Sequence, residues 1–120
     1  MRTGRNIHLV VPGYLLDQIQ RRALISGRTR AAELRYLLSL GLTLAGGLDV
    51  ILQMNPGIPC RALVSPRHEI FEDVADRSER FERSMATEAL RMISYAIDRS
   101  SSDAITTMSQ LSDRVAPCTQ

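Results

Sequence analysis

Arg-Thr-Arg-Ala-Ala-Glu-Leu at residues 28–34 is echoed by Arg-Ser-Met-Ala-Thr-Glu-Ala at residues 83–89, so that Arg28, Thr29 and Glu33 recur 55 residues later as Arg83, Ser84 and Glu88. The flanks keep that offset. Leu15, Leu16 and Ile19 become Ile70, Phe71 and Val74, while Leu34, Leu37, Leu38 and Leu42 become Ala89, Met92, Ile93 and Ile97. Apolar positions and polar start signals that hold one register across about thirty residues mark an internal repeat.

Each copy has the same anatomy. Residues 6–11, Asn-Ile-His-Leu-Val-Val, alternate Ile7, Leu9 and Val11 against Asn6, His8 and Val10 and stop at Pro12, the pattern of a short strand with one buried face. From residue 13 to about 25, Leu15, Leu16, Ile19 and Ala23 line a helical stripe that Ser26 and Gly27 end. Thr29 then stands as an N-cap, and Leu34, Leu37, Leu38 and Leu42 carry a second helix to Gly46 and Gly47. The second copy predicts a strand at about residues 60–65, a helix over about 67–79, Ser84 as N-cap and a helix to about residue 99. Pro66 follows Pro12 by 54 residues rather than 55, so two strand registers fit. The 55 register turns Ala62 and Val64 inward and Arg61, Leu63 and Ser65 outward, at the cost of an exposed Leu63; the 54 register would bury Arg61 unpaired.

The chain of 120 residues suits one domain, long enough to bury about two-thirds of its unfolded surface without disulfides or metal. Residues 5–46 form the first unit and 60–99 the second. Residues 47–59 read as a packed linker ending in an Asn-Pro-Gly-Ile-Pro turn, and 100–120 as an added amphipathic helix and tail, with Ile105, Met108, Leu111 and Val115 on its apolar side. The longest apolar stretch, Tyr36 to Leu48, is too short and too interrupted to span a membrane, and no signal peptide is expected. Two cysteines, Cys60 and Cys118, in no metal or redox spacing suit a reducing, cytoplasmic compartment. All fifteen basic residues are arginine, a usage that high genomic G+C content favours. Seven of them fall in residues 1–59 against Asp17, Glu33 and Asp49, so the first half is the basic one and suits an anionic partner.

A six-residue strand needs a partner for its backbone groups and cover for its apolar face. The cheapest partner is the second strand of the same chain, giving a mainly α fold with a two-stranded antiparallel ribbon over four helices. Strand, proline, helix, Gly-Arg-Thr turn, and helix with a glutamate four residues after the cap resembles the ribbon-helix-helix superfamily of DNA-binding proteins, the Arc/MetJ-like repressors. Those normally pair strands from two identical chains. With both copies in one polypeptide, the chain resembles a single-chain tandem pseudo-dimer. With its extra C-terminal helix it is also similar to the C-terminal domain of VirC-type, overdrive-binding accessory proteins of T-DNA transfer.

A two-stranded ribbon fits the major groove, which places Asn6, His8, Val10, Arg61, Leu63 and Ser65 against base edges. Arg61 suits guanine, Asn6 adenine, Ser65 several bases, and Val10 a thymine methyl. The second-helix N-termini at Thr29-Arg30 and Ser84-Met85 suit phosphates, helped by Arg28 and Arg83, while Arg2 and Arg5 sit on an N-terminal arm that can follow the backbone. Arg21 and Arg22 read as solvated charges. Because the two strands differ, the target is expected to be asymmetric, with several molecules on neighbouring sites or a partner already on DNA to supply specificity. The resemblance implies a role beside a relaxase complex in conjugative or T-DNA transfer; a transcriptional repressor or antitoxin is the alternative. An enzyme is not expected: His8 and His68 lack metal spacing, no nucleophile setting is visible, and neither cofactor nor small-molecule substrate is implied. A protein-docking module without DNA binding is the rival from another class, resting on the acidic cluster Glu69, Glu72, Asp73, Asp76, Glu79 and Glu82. That cluster, with its interleaved arginines, equally suits a solvated helix face.

Overall fold

The computed structural model describes the backbone of residues 6–50 and 57–112, and side chains as far as Ser100. Strand β1 (Ile7–Pro12) buries Ile7, Leu9 and Val11 and exposes His8 and Val10, the alternation of its sequence. It pairs antiparallel with β2 (Pro59–Val64), from Ile7 opposite Val64 to Pro12 opposite Pro59. Ala62 and Val64 point into the core while Arg61, Leu63 and Ser65 are exposed, so the 55 register is the one adopted. Two prolines, which lack an N–H, face each other where the ladder closes. Just beyond, the Gly13 N–H donates to the Ile58 carbonyl at 2.8 Å.

Helix α1 (Gly13–Ser26) buries Leu15, Leu16, Ile19 and Ala23, and ends at Gly27, whose φ of 74° is the left-handed conformation that costs glycine least. The Arg28 N–H then returns to the Ala23 carbonyl at 2.9 Å. Thr29 Oγ1 accepts the Ala32 N–H at 3.1 Å and caps α2 (Arg30–Ala45). After α3 (His68–Arg80) the same turn recurs at the sequence offset. The Arg83 N–H returns to the Ser78 carbonyl at 2.9 Å, and Ser84 Oγ accepts the Thr87 N–H at 3.0 Å at the start of α4 (Met85–Ser112). Gly27's place is taken by Glu82 at φ 55°, a strained conformation for a residue with a Cβ.

Helices α2 and α4 cross at the centre, where Leu34, Leu37, Leu38, Met92 and Ile93 are almost wholly buried. A Cβ on Gly41 would collide with the Met92 carbonyl, so glycine sets how closely they approach. The packing is crossed: α4 supports β1, and α2 supports β2. Among the described residues, buried apolar side chains of both halves form one hydrophobic cluster.

One expectation changes. Helix α4 runs on through Ser100 to Ser112, where the sequence reading ended one helix at Arg99 and began another. No Gly or Pro interrupts residues 85–112, and Ser100 Oγ donates back to the Ala96 carbonyl at 2.6 Å, satisfying itself within the helix instead of capping a new one. Of the segment expected as a packed linker, residues 47–59, only part lies among the described residues. Val50 is buried but Leu48 is exposed, and residues 51–56 lie outside the described residues, as do Arg2, Arg5, Val115, Cys118 and the side chains of Ile105, Met108 and Leu111.

Candidate nucleic-acid interface

The outward ribbon face is built from three cross-strand couples. Val10 stands opposite Arg61 and His8 opposite Leu63; at the open end Ser65 Oγ donates to Asn6 Oδ1 at 2.6 Å. All six of the residues expected to read bases therefore share one exposed surface. Two are large and apolar, with Val10 59% and Leu63 42% exposed. His8, Val10, Arg61 and Leu63 line one concavity, and Arg30, from the first turn of α2, lines it with them. A guanidinium beside the ribbon and another on it make this surface cationic.

The residues expected at phosphates are placed unevenly. Thr29 and Arg30 are exposed, whereas Met85 is half-buried and brings no charge to the start of α4. Arg28 and Arg83 are directed at glutamates: Nη1 of each lies 2.8 Å from Oε1 of Glu33 and Glu88 respectively. Arg28 also stacks over the Tyr36 ring at 4.1 Å. Arg83 reaches Asp49 at 2.6 Å, and its hydrogen bonds to Glu88 and then Asp49 hold its guanidinium above the ordinary arginine range.

The sequence reading missed what Glu33 and Glu88 do. Both are buried, and each receives two arginines from the same repeat positions, Arg22 and Arg28 in one half and Arg77 and Arg83 in the other. Arg22, read as a solvated charge, is half-buried and donates to Ser100 Oγ at 2.6 Å; Arg21 is exposed and pairs with Asp17. Arg77 Nε donates to Glu88 Oε2 at 2.7 Å, and its other nitrogens donate to the carbonyls of Gly46 and Leu48. Arg80 and Arg91 take the carbonyls of Gly47 and Val50, so the chain leaving α2 is fastened to α3 and α4 by arginines. The signal was present: Arg22 and Arg77 also stand 55 residues apart.

Among the described residues no group of three or more His, Cys, Asp or Glu is placed to hold a metal ion, and no helix is long and apolar enough to cross a membrane. His68 is an exposed residue at the start of α3, and Cys60 is a free, half-buried strand residue. No family model, curated protein or solved structure matches the chain.

Proposed function

We propose that this protein binds double-stranded DNA as a single-chain tandem ribbon-helix-helix pseudo-dimer, laying the outward face of its ribbon in the major groove. The observation that carries the reading is the ribbon face itself: three cross-strand couples that present hydrogen-bonding and apolar groups on one exposed surface, with Arg30 lining the same concavity, the kinds of group that can meet base edges. The exposed first turn of α2, with Thr29 as cap, offers free N–H groups for a phosphate beside the ribbon, and α4 offers a weaker counterpart at Ser84 and Met85. Arg28 and Arg83 contribute positive potential around those turns while serving the buried glutamates. On this reading the cellular role is that of an accessory factor beside a relaxase complex, with a repressor or antitoxin as the alternative process.

Fluorescence anisotropy with labelled duplexes at rising salt tests it. Binding by this surface gives affinity that falls steeply and linearly in log–log form with salt, and Arg30→Ala lowers the slope by about one unit. A chain with no duplex affinity at low salt would instead fit the protein-docking class.

A further inference from the structure

Val10 and Arg61 are direct cross-strand partners on the ribbon face and line one concavity with Leu63 and Arg30. Opposed Cβ atoms on such a ribbon stand about 5 Å apart, and stacked base pairs about 3.4 Å, so the two side chains meet the same or neighbouring base pairs. Arginine's paired donors match guanine O6 and N7; a branched aliphatic group matches the thymine 5-methyl. The opposite end of the face has different chemistry. There Ser65 donates to Asn6 Oδ1, which occupies one side of the amide and leaves the Asn6 Nδ2 protons as its free donors. The flanks differ in the same sense, because Arg30 lines the Val10–Arg61 concavity and the residue 55 positions on is the uncharged Met85.

Resting on the DNA reading above, we infer that the ribbon engages duplex DNA in one orientation only, with Val10 and Arg61 selecting a thymine beside a guanine. Same-face residues two apart on a strand are about 7 Å apart, so the Asn6–Ser65 end falls about 14 Å away, roughly four base-pair steps further on. That end takes a base with a groove acceptor and selects less sharply. The element recognised is therefore non-palindromic and short, with its strictest positions at one end.

The test begins with duplexes selected by the full chain from a random pool and continues with atom-level changes to the enriched sequence. Replacing the thymine by deoxyuridine deletes one methyl group and weakens binding roughly fourfold, the worth of one buried methyl. Replacing the guanine by 7-deazaguanine deletes N7 and weakens binding roughly tenfold. Val10→Ala abolishes the first penalty and Arg61→Ala the second, and circular dichroism confirms that these exposed-site variants fold. A palindromic motif, a motif without that dinucleotide, or penalties that survive in the matching variants would overturn the inference. Steeply salt-dependent duplex binding without the predicted step defeats this inference alone; absence of duplex binding defeats the ribbon reading as well.

Discussion

Glu88→Gln keeps the shape of a side chain with no solvent access and removes its charge. The carboxylate accepts from Arg77 Nε at 2.7 Å and Arg83 Nη1 at 2.8 Å, and Arg77 itself is only 4% exposed. Taking away one partner of a buried ion pair costs about 3–5 kcal/mol, because the other charge remains out of water. Arg77 keeps the carbonyls of Gly46 and Leu48, which places the loss near the lower end, about 3 kcal/mol. Glu33→Gln, at the equivalent repeat position, is the internal comparison. Its partners are more accessible, with the Arg28 side chain 36% exposed at 2.8 Å and Arg22 27% exposed at 3.7 Å. Water reaches Arg28, and Arg22 stands farther from the carboxylate and keeps its bond to Ser100 Oγ, so the cost falls to about 1 kcal/mol. Urea unfolding followed by far-ultraviolet circular dichroism resolves that difference as a separation of about 1 M or more between midpoints, provided the slopes match. Equal losses, or a larger one for Glu33→Gln, would refute the account of Arg77 as a buried cation held by Glu88.

Gly41→Ala gains about 1 kcal/mol of helix propensity, yet its methyl group collides with the Met92 carbonyl and forces α2 and α4 apart. A net loss of about 2 kcal/mol in the same assay is expected, with exposed Thr43→Ala as a control that gains about 0.5 kcal/mol of helix propensity and meets no clash. Thr29→Ala removes the α2 cap and lowers stability by about 1 kcal/mol, and it weakens binding to all duplex sequences alike; unchanged folding and affinity would reject that role. Since both strands of the ribbon come from one chain, the urea midpoint stays constant over a roughly hundredfold range of protein concentration, whereas a fold completed by a second chain would shift it.

The ribbon and the caps were legible because each has a local chemical signature. Alternation fixes the inward face of β1, and the aversion to burying Arg61 picks the register of β2 against the competing proline spacing. The uninterrupted α4 was hidden by three serines that look like a helix start, yet Ser100 bonds back along its own helix. The glutamate–arginine sites were hidden for a different reason. A charged residue on an amphipathic helix reads as solvated unless its burial is known, and burial of Glu88 depends on α3, α4 and the chain leaving α2 meeting at one place. Within the candidate interface, sequence reasoning reached every ribbon residue but not the concavity that joins Arg30 to Val10 and Arg61.

Where the two halves of the chain agree and where they differ follows from what each position faces. Inward ribbon positions 55 apart are Ile7 with Ala62 and Leu9 with Val64, apolar on both sides because all four enter one core. Outward positions at the same offset are Asn6 with Arg61, His8 with Leu63 and Val10 with Ser65, and no couple shares its chemistry. A ribbon made from two identical chains carries every outward residue twice, so its reading face is bound to be symmetric. On the pseudo-dimer reading proposed above, having both copies in one chain would remove that constraint from the solvent side while packing keeps it on the core side. Solubility alone would favour polar groups at all six outward positions, but Val10 and Leu63 leave apolar surface beside Arg61. Apolar and cationic groups gathered in one concavity fit a face that is covered when it works, and the asymmetry of that face fits a ligand whose two ends differ.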